Sequence, residues 1–145
     1  MLIRQIGKSD INGLQELYLH LHEKEKMPET GELALLWQEI LADENYYILI
    51  GETEGKIVSS VTMIIIKNLT RGMKPYALIE NVVTHKDYRC RGYAQVLMQR
   101  AIEIAESRGC YKIMLLTGAK NESTLRFYER CGFNNKDKTA FIKWL

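Results

Sequence analysis

The run from Tyr76 to Arg108 restricts what this chain can fold into more than any other stretch. Residues 76–84 read as an apolar strand, 85–91 as a short basic loop, and Gly92 onward as a helix. Ala94, Leu97, Met98, Ala101, Ile104 and Ala105 recur at helical spacing and mark that helix's core face. A strand that feeds a helix through a glycine builds an anion site out of backbone. The first helical turn carries N–H groups without intrahelical partners, and the aligned peptide dipoles add roughly half a positive charge there. Gly92 lets the backbone approach a ligand closely. Ala94 keeps the next position small, and Arg89 and Arg91 add full charges around Cys90. The segment reads as a cradle for a diphosphate. The sequence has no G-x-x-x-x-G-K-[ST] loop and no G-x-G-x-x-G turn after a strand, so a nucleoside-triphosphate loop and a dinucleotide fold are unsupported.

The remaining elements follow from periodicity and punctuation. Residues 2–6 alternate as a first strand. Ser9 offers a helix N-cap, and Ile11, Leu14, Leu17, Tyr18 and Leu21 predict a helix to about His22. Residues 23–28 form a polar break. A second helix is expected from Glu29 or Thr30 to Ala42, with Leu33, Leu36, Trp37, Ile40 and Leu41 as its buried stripe. Residues 46–52 and 56–67 read as strands joined at Glu54-Gly55. After the long helix, ended by Gly109, come a buried strand at 111–116, a helix from Glu122 to Cys131, and last strands at Phe133 and Lys138–Leu145. The expected architecture is α/β in the α+β sense, a mixed, mostly antiparallel sheet of six to seven strands flanked by four helices.

Length and composition suit one domain over residues 1–145: 46% of the residues are apolar, enough for a sizeable core. A net charge of only +2 argues against a nucleic-acid binder. The longest apolar run, near Val61–Ile66, is far short of a membrane span. Cys90, Cys110 and Cys131 are odd in number and lie far apart, and no secretory leader is evident, so free thiols in the cytoplasm are expected. His20 and His22 lack a Cys or His partner at ligand spacing, so no metal site is expected. His85 could relay protons near neutral pH, but it reads rather as an exposed loop residue.

Arg89-x-x-Gly92-x-Ala94 resembles the acetyl-CoA loop of the GNAT N-acetyltransferases, whose signature is Arg or Gln, two residues, Gly, one residue, Gly or Ala. Asn121 and Tyr128 keep a seven-residue spacing that is also common in that family. Gly109–Ile113, Lys120-Asn121 and Phe127–Phe133 further resemble glucosamine-phosphate N-acetyltransferases, as does Ile79–Val83, although Asn81 stands where those enzymes carry Asp. The resemblance implies the same succession of elements and a V-shaped splay between strands 4 and 5 that admits the cofactor. It implies an acetyl-CoA-dependent transfer to an amine acceptor, a small amine such as an amino sugar or a protein amine. Val82, Val83 and Thr84 would bond the pantetheine arm like an added strand. Residues Arg89, Cys90, Arg91, Gly92, Tyr93 and Ala94 would hold the diphosphate. Asn121 would cap its helix or bond the arm.

Acetyl transfer from a thioester needs a neutral amine, an acceptor for its proton, donors to the thioester oxygen and a proton for the leaving thiolate. Tyr128 is the candidate general acid toward sulfur, and Glu80 the candidate base, acting through water. Two alternatives stand beside this reading: a non-catalytic acyl-CoA-binding module with the same fold and, for oligomeric state, a homodimer formed through apolar Phe141-Ile142-Lys143-Trp144-Leu145.

Overall fold

A computed structural model of the chain describes residues 1–145 except His22. Five strands form one sheet in chain order: β1 Leu2–Gln5, β2 Tyr46–Thr53, β3 Lys56–Ile66, β4 Tyr76–Thr84 and β5 Ile113–Leu115. The first four are antiparallel to their neighbours, and β5 runs parallel to β4. The helices are α1 Ile11–Tyr18, α2 Gly31–Ala42, α3 Tyr93–Ser107 and α4 Glu122–Arg130.

Central β3 is buried along almost its whole length because α1 packs on one face and α3 on the other, which explains its near-continuous apolar run. One core joins Ile6, Leu14, Leu17, Ile48, Ile50, Ile57 and Val83 under α1 and α2. The other joins Met63, Ile65, Ala77, Ile79, Leu97, Met98 and Ala101 under α3, with Phe127 and Tyr128 of α4 at its margin.

Three expectations need correction. The sheet has five strands among the described residues, not six or seven. Phe133 and the 138–145 segment form no strand, and Phe141 and Trp144 stand 91% and 84% exposed. Apolar content gave that segment strand character, but a strand exists only where an edge takes its backbone groups. Helix α1 stops at Tyr18, short of the expected end near His22, a residue that lies outside the described ones. Ser9 is not its cap. The chain enters α1 through a 3-10 turn, and Asp10 occupies the N-cap with its carboxylate drawn to Arg4 at 2.6 and 2.9 Å. The same guanidinium reaches Glu52 at 2.7 Å and ties β1 to β2 and the start of α1. The Arg4 guanidinium holds the Asp10 carboxyl below the usual carboxylate range.

The β4–β5 pairing is short. Ala77, Leu78 and Ile79 pair with Ile113, Met114 and Leu115, and the ladder stops there. On the other side of β4 the register slips: Ser60 faces Val83 and Thr62 faces Glu80, so Asn81 and Val82 stand opposite Val61 alone. This is a β-bulge, which bends the strand and strengthens its twist. Its first residue, Asn81, has φ +50, a left-handed conformation that Asn tolerates better than most residues.

Replacing Asn81 with Val should therefore lower stability by about 1–2 kcal/mol, while Asn81→Gly should be neutral or stabilising. Chemical denaturation of the three proteins checks this order.

Candidate active site

The site is built where three backbone features meet: the unpaired end of β4, the start of α3 and the last turn of α4. Beyond Ile79 the β5 side of β4 has no strand partner among the described residues. That leaves a seam of free backbone along Glu80–Thr84, into which an extended ligand can add like a strand.

The β4–α3 connection turns through two left-handed residues, Cys90 at φ +58 and Gly92 at φ +79. Gly92 is the N-cap of α3, and no side chain caps the helix there. The first intrahelical bond runs from the Val96 N–H to the Gly92 carbonyl, so the N–H groups of Tyr93, Ala94 and Gln95 precede the ladder. A Cβ at Gly92 would meet nothing within 4 Å. The residue is glycine for its backbone angle, and the space above it is open. Uncapped donors and open space suit the diphosphate of a coenzyme A molecule. The two arginines are tied back onto the loop: Arg89 Nε donates to the Thr84 carbonyl at 3.2 Å, and Arg91 Nη2 donates to the Asp87 carbonyl at 3.1 Å.

Tyr128 is held by the way α4 ends. The Phe133 N–H donates to the Tyr128 carbonyl at 3.1 Å, and the Gly132 N–H donates to the Glu129 carbonyl at 2.9 Å. Gly132 sits at φ +91. These paired bonds form a Schellman motif, whose characteristic apolar contact is present between Tyr128 and Phe133, ring centroids 6.5 Å apart. Phe127 braces the other side at 5.0 Å. Burial pushes the Tyr128 phenol up, and the nearby Cys131 thiol and Glu80 carboxylate add to the rise. A phenol held above its ordinary range keeps its proton at neutral pH, as a proton donor must.

Glu80 is exposed and lies across β3 from Ile48: Ile48 faces Thr62, and Thr62 faces Glu80. Opposed side chains share a face, so Glu80 projects to the α1–α2 side, within the electrostatic reach of both Tyr128 and Tyr46. Tyr18 closes the same face, its phenol raised by burial while the hydroxyls of Thr62 and Ser60 beside it pull the other way.

Most residues singled out from sequence thus meet at one end of the sheet: Glu80, Val82, Val83, Thr84, the Arg89–Ala94 turn and Tyr128. Asn121 acts as a cap. Its Oδ1 accepts the Thr124 N–H at 2.9 Å and the Ser123 hydroxyl at 2.8 Å. His85 departs from expectation. It is 9% exposed rather than solvated, because the end of α1 and the β2–β3 hairpin close over it. Tyr46 and Tyr18 escaped sequence reasoning, since an aromatic residue in a strand or helix face reads as ordinary core. Among the described residues no group of three His, Cys, Asp or Glu is placed to hold a metal ion.

The sequence profile of the acetyltransferase (GNAT) family matches residues 11–133. A glucosamine 6-phosphate N-acetyltransferase from Trypanosoma brucei brucei is 29% identical over 136 residues, spanning 94% of this chain and 90% of its own. A protein of Agrobacterium tumefaciens str. C58 solved as a candidate acetyltransferase is 38% identical and superimposes with a TM-score of 0.91, over 99% of this chain and all of that one. The glucosamine-6-phosphate N-acetyltransferase of Arabidopsis thaliana superimposes at 0.85 with 26% identity, covering 99% and 97% of the two chains.

Gly92→Glu should abolish binding of acetyl-CoA, by filling the open space with an anion. Titration calorimetry checks it, with circular dichroism as the control for folding.

Proposed function

The chain belongs to the acetyltransferase (GNAT) family, and we propose that it acetylates a primary amine by direct transfer while both substrates are bound, a reading carried by the open β4–β5 seam lying beside the uncapped start of α3. It is an acetyl-CoA-dependent N-acetyltransferase. The thioester carbon is attacked by the amine nitrogen, the C–S bond breaks, and two protons must move: one off the amine and one onto sulfur.

The division of labour follows from position. The N–H groups of Arg91–Ala94 and the charges of Arg89 and Arg91 take the diphosphate. The backbone of Val82, Val83 and Thr84 receives the pantetheine arm, and a Val82 or Val83 N–H aimed at the thioester oxygen stabilises the charge that develops there. Glu80 accepts the amine's proton through water from the α1–α2 side. Tyr128, which retains its own proton, donates to the departing sulfur. Holding both reactants in attack geometry makes a covalent enzyme intermediate unnecessary. The arrangement favours turnover over a silent acyl-CoA-binding module, because an acid and a base flank the seam and a binding module needs neither.

For the acceptor, the Trypanosoma and Arabidopsis relatives are named for glucosamine 6-phosphate, so amino sugars lead the panel to be tested, with peptide amines second. Residues 1–145 act as one catalytic domain in this reading. The free thiols of Cys90, Cys110 and Cys131 support a reducing, cytoplasmic setting. No helix among the described residues is long and apolar enough to cross a membrane. The exposed Phe141, Ile142, Trp144 and Leu145 form an apolar stretch of the kind that a partner surface covers, and we assign that surface to a second copy of the chain.

Tyr128→Phe should lower kcat by about 10²-fold or more and leave acetyl-CoA affinity nearly unchanged. An equal loss of both would make Tyr128 a packing residue. The assay follows free thiol with acetyl-CoA and the amine panel; binding without turnover on any amine would favour the silent module. Light scattering should give a dimer for the full chain and a monomer for a variant ending at Lys138.

A further inference from the structure

His85 sits where β4 hands over to the diphosphate loop, and its surroundings give it a role that the reaction does not. The ring is buried. It packs at a tilt of 47° against His20, which follows α1, with centroids 4.0 Å apart. It meets Tyr88 edge-on at 5.4 Å, and Tyr88 lies 6.4 Å from Tyr93, the first residue of α3. Arg91 covers the Tyr88 ring at 5.1 Å. A path of packed rings thus runs from the end of β4 to the first turn of α3.

The ring nitrogens complete the attachment. Nδ1 accepts the Asp87 N–H at 3.3 Å and opens the turn Lys86–Tyr88. Nε2 lies 3.0 Å from Lys56 Nζ on β3. A neutral imidazole offers one lone pair and one N–H, whereas an imidazolium offers only donors. In the neutral ring that single lone pair can serve the Asp87 N–H or the Lys56 ammonium, not both; a second proton makes both nitrogens donors, so the loop loses its acceptor and a full positive charge faces Lys56. The charged and titratable groups around the ring are Lys56 from β3, His20 after α1, and Lys86, Asp87 and Tyr88 from the loop itself. Glu16 of α1, and Asp10 and Glu52 paired with Arg4, line the same pocket as the ring; the carboxylate in direct reach is that of Asp87, 3.7 Å away with a side chain 68% exposed.

We propose that uncharged His85 is a positioning residue for the diphosphate loop, and that its protonation loosens the loop and weakens acetyl-CoA binding. The proposal rests on the reading of the α3 start as the diphosphate site. Burial, then His20 and Lys56, hold the imidazole below its ordinary range. A depressed folded-state value means the contribution is present above the ordinary histidine range, near pH 6.5, and is lost as pH falls below it.

The test combines calorimetry with NMR titration of the histidine ring protons. Between pH 7.5 and 5.0 the unmodified protein should lose about threefold more acetyl-CoA affinity than His85→Gln, because only its ring leaves the competent form. Comparing the two proteins cancels titration of the cofactor's own phosphates. Coupling is reciprocal, so saturating acetyl-CoA should move the His85 midpoint down in the unmodified protein, a readout that holds even if the variant folds poorly. Equal losses in both proteins, or a midpoint that stays or rises on saturation, would overturn the positioning role and leave the diphosphate site standing. No heat with acetyl-CoA at pH 7.5 would overturn both.

Discussion

The parallel pairing of β4 with β5 is the constraint from which the site follows. Two parallel neighbours cannot be joined by a tight turn; the chain must cross back over a face of the sheet, and here it does so as α3. A crossover helix starts beside the C-terminal end of the strand that precedes it, so the uncapped donors of α3 lie next to the end of β4. The pair is held by only three residues on each strand. On its far side the bulge at Asn81 and Val82 adds local twist to β4. Pairing over the whole length of β4 would consume the backbone groups that now line the seam. Binding capacity at this place is pairing the sheet has forgone.

Two helix ends serve the site in opposite ways. The start of α3 presents donors without partners, a cost that an anion removes. The end of α4 satisfies its last carbonyls internally through Gly132 and Phe133, and the resulting rigidity fixes the Tyr128 ring. An anion-binding end has to stay open. An end that aims a side chain has to be closed. Helix α3 shows both in one element: its far end also closes, with the Cys110 N–H on the Ala105 carbonyl and Gly109 at φ +72.

Legibility in the sequence varied with how local the cause was. Residues 76–84 form a strand with the expected bounds, because Pro75 precedes it and a basic loop follows. Thr30 caps α2 through the Leu33 N–H, and Gly109 and Gly132 end α3 and α4, each a signal readable within one turn. The terminal strands were not legible, since the apolar spacing of Phe141, Ile142 and Trp144 says nothing about an edge to pair with. The N-cap at Ser9 failed for a long-range reason: Arg4, itself bound to Glu52 on β2, draws the Asp10 carboxylate. The site divides along the same line. Gly92 and Tyr128 lie in motifs with fixed spacing, whereas the burial of His85 depends on His20 and Lys56 arriving from other elements.

The diphosphate loop also has to exist before its ligand arrives, and its charges make that difficult. Lys86, Arg89 and Arg91 lie within six consecutive residues, and Lys56 approaches from β3. Self-repulsion would splay such a loop, and an anion would then have to order it at a cost in affinity. The structure counters this by giving the cations backbone or aromatic partners. Arg89 and Arg91 bond the Thr84 and Asp87 carbonyls, and Arg91 and Lys56 both lie over the Tyr88 ring. Each guanidinium keeps further N–H groups for a phosphate, since it has five and these contacts use one apiece. In this arrangement the one ring that must stay uncharged is also the one buried within the cluster, where a further positive charge would meet Lys56 and Lys86, with the exposed Asp87 carboxylate as the anion in direct reach.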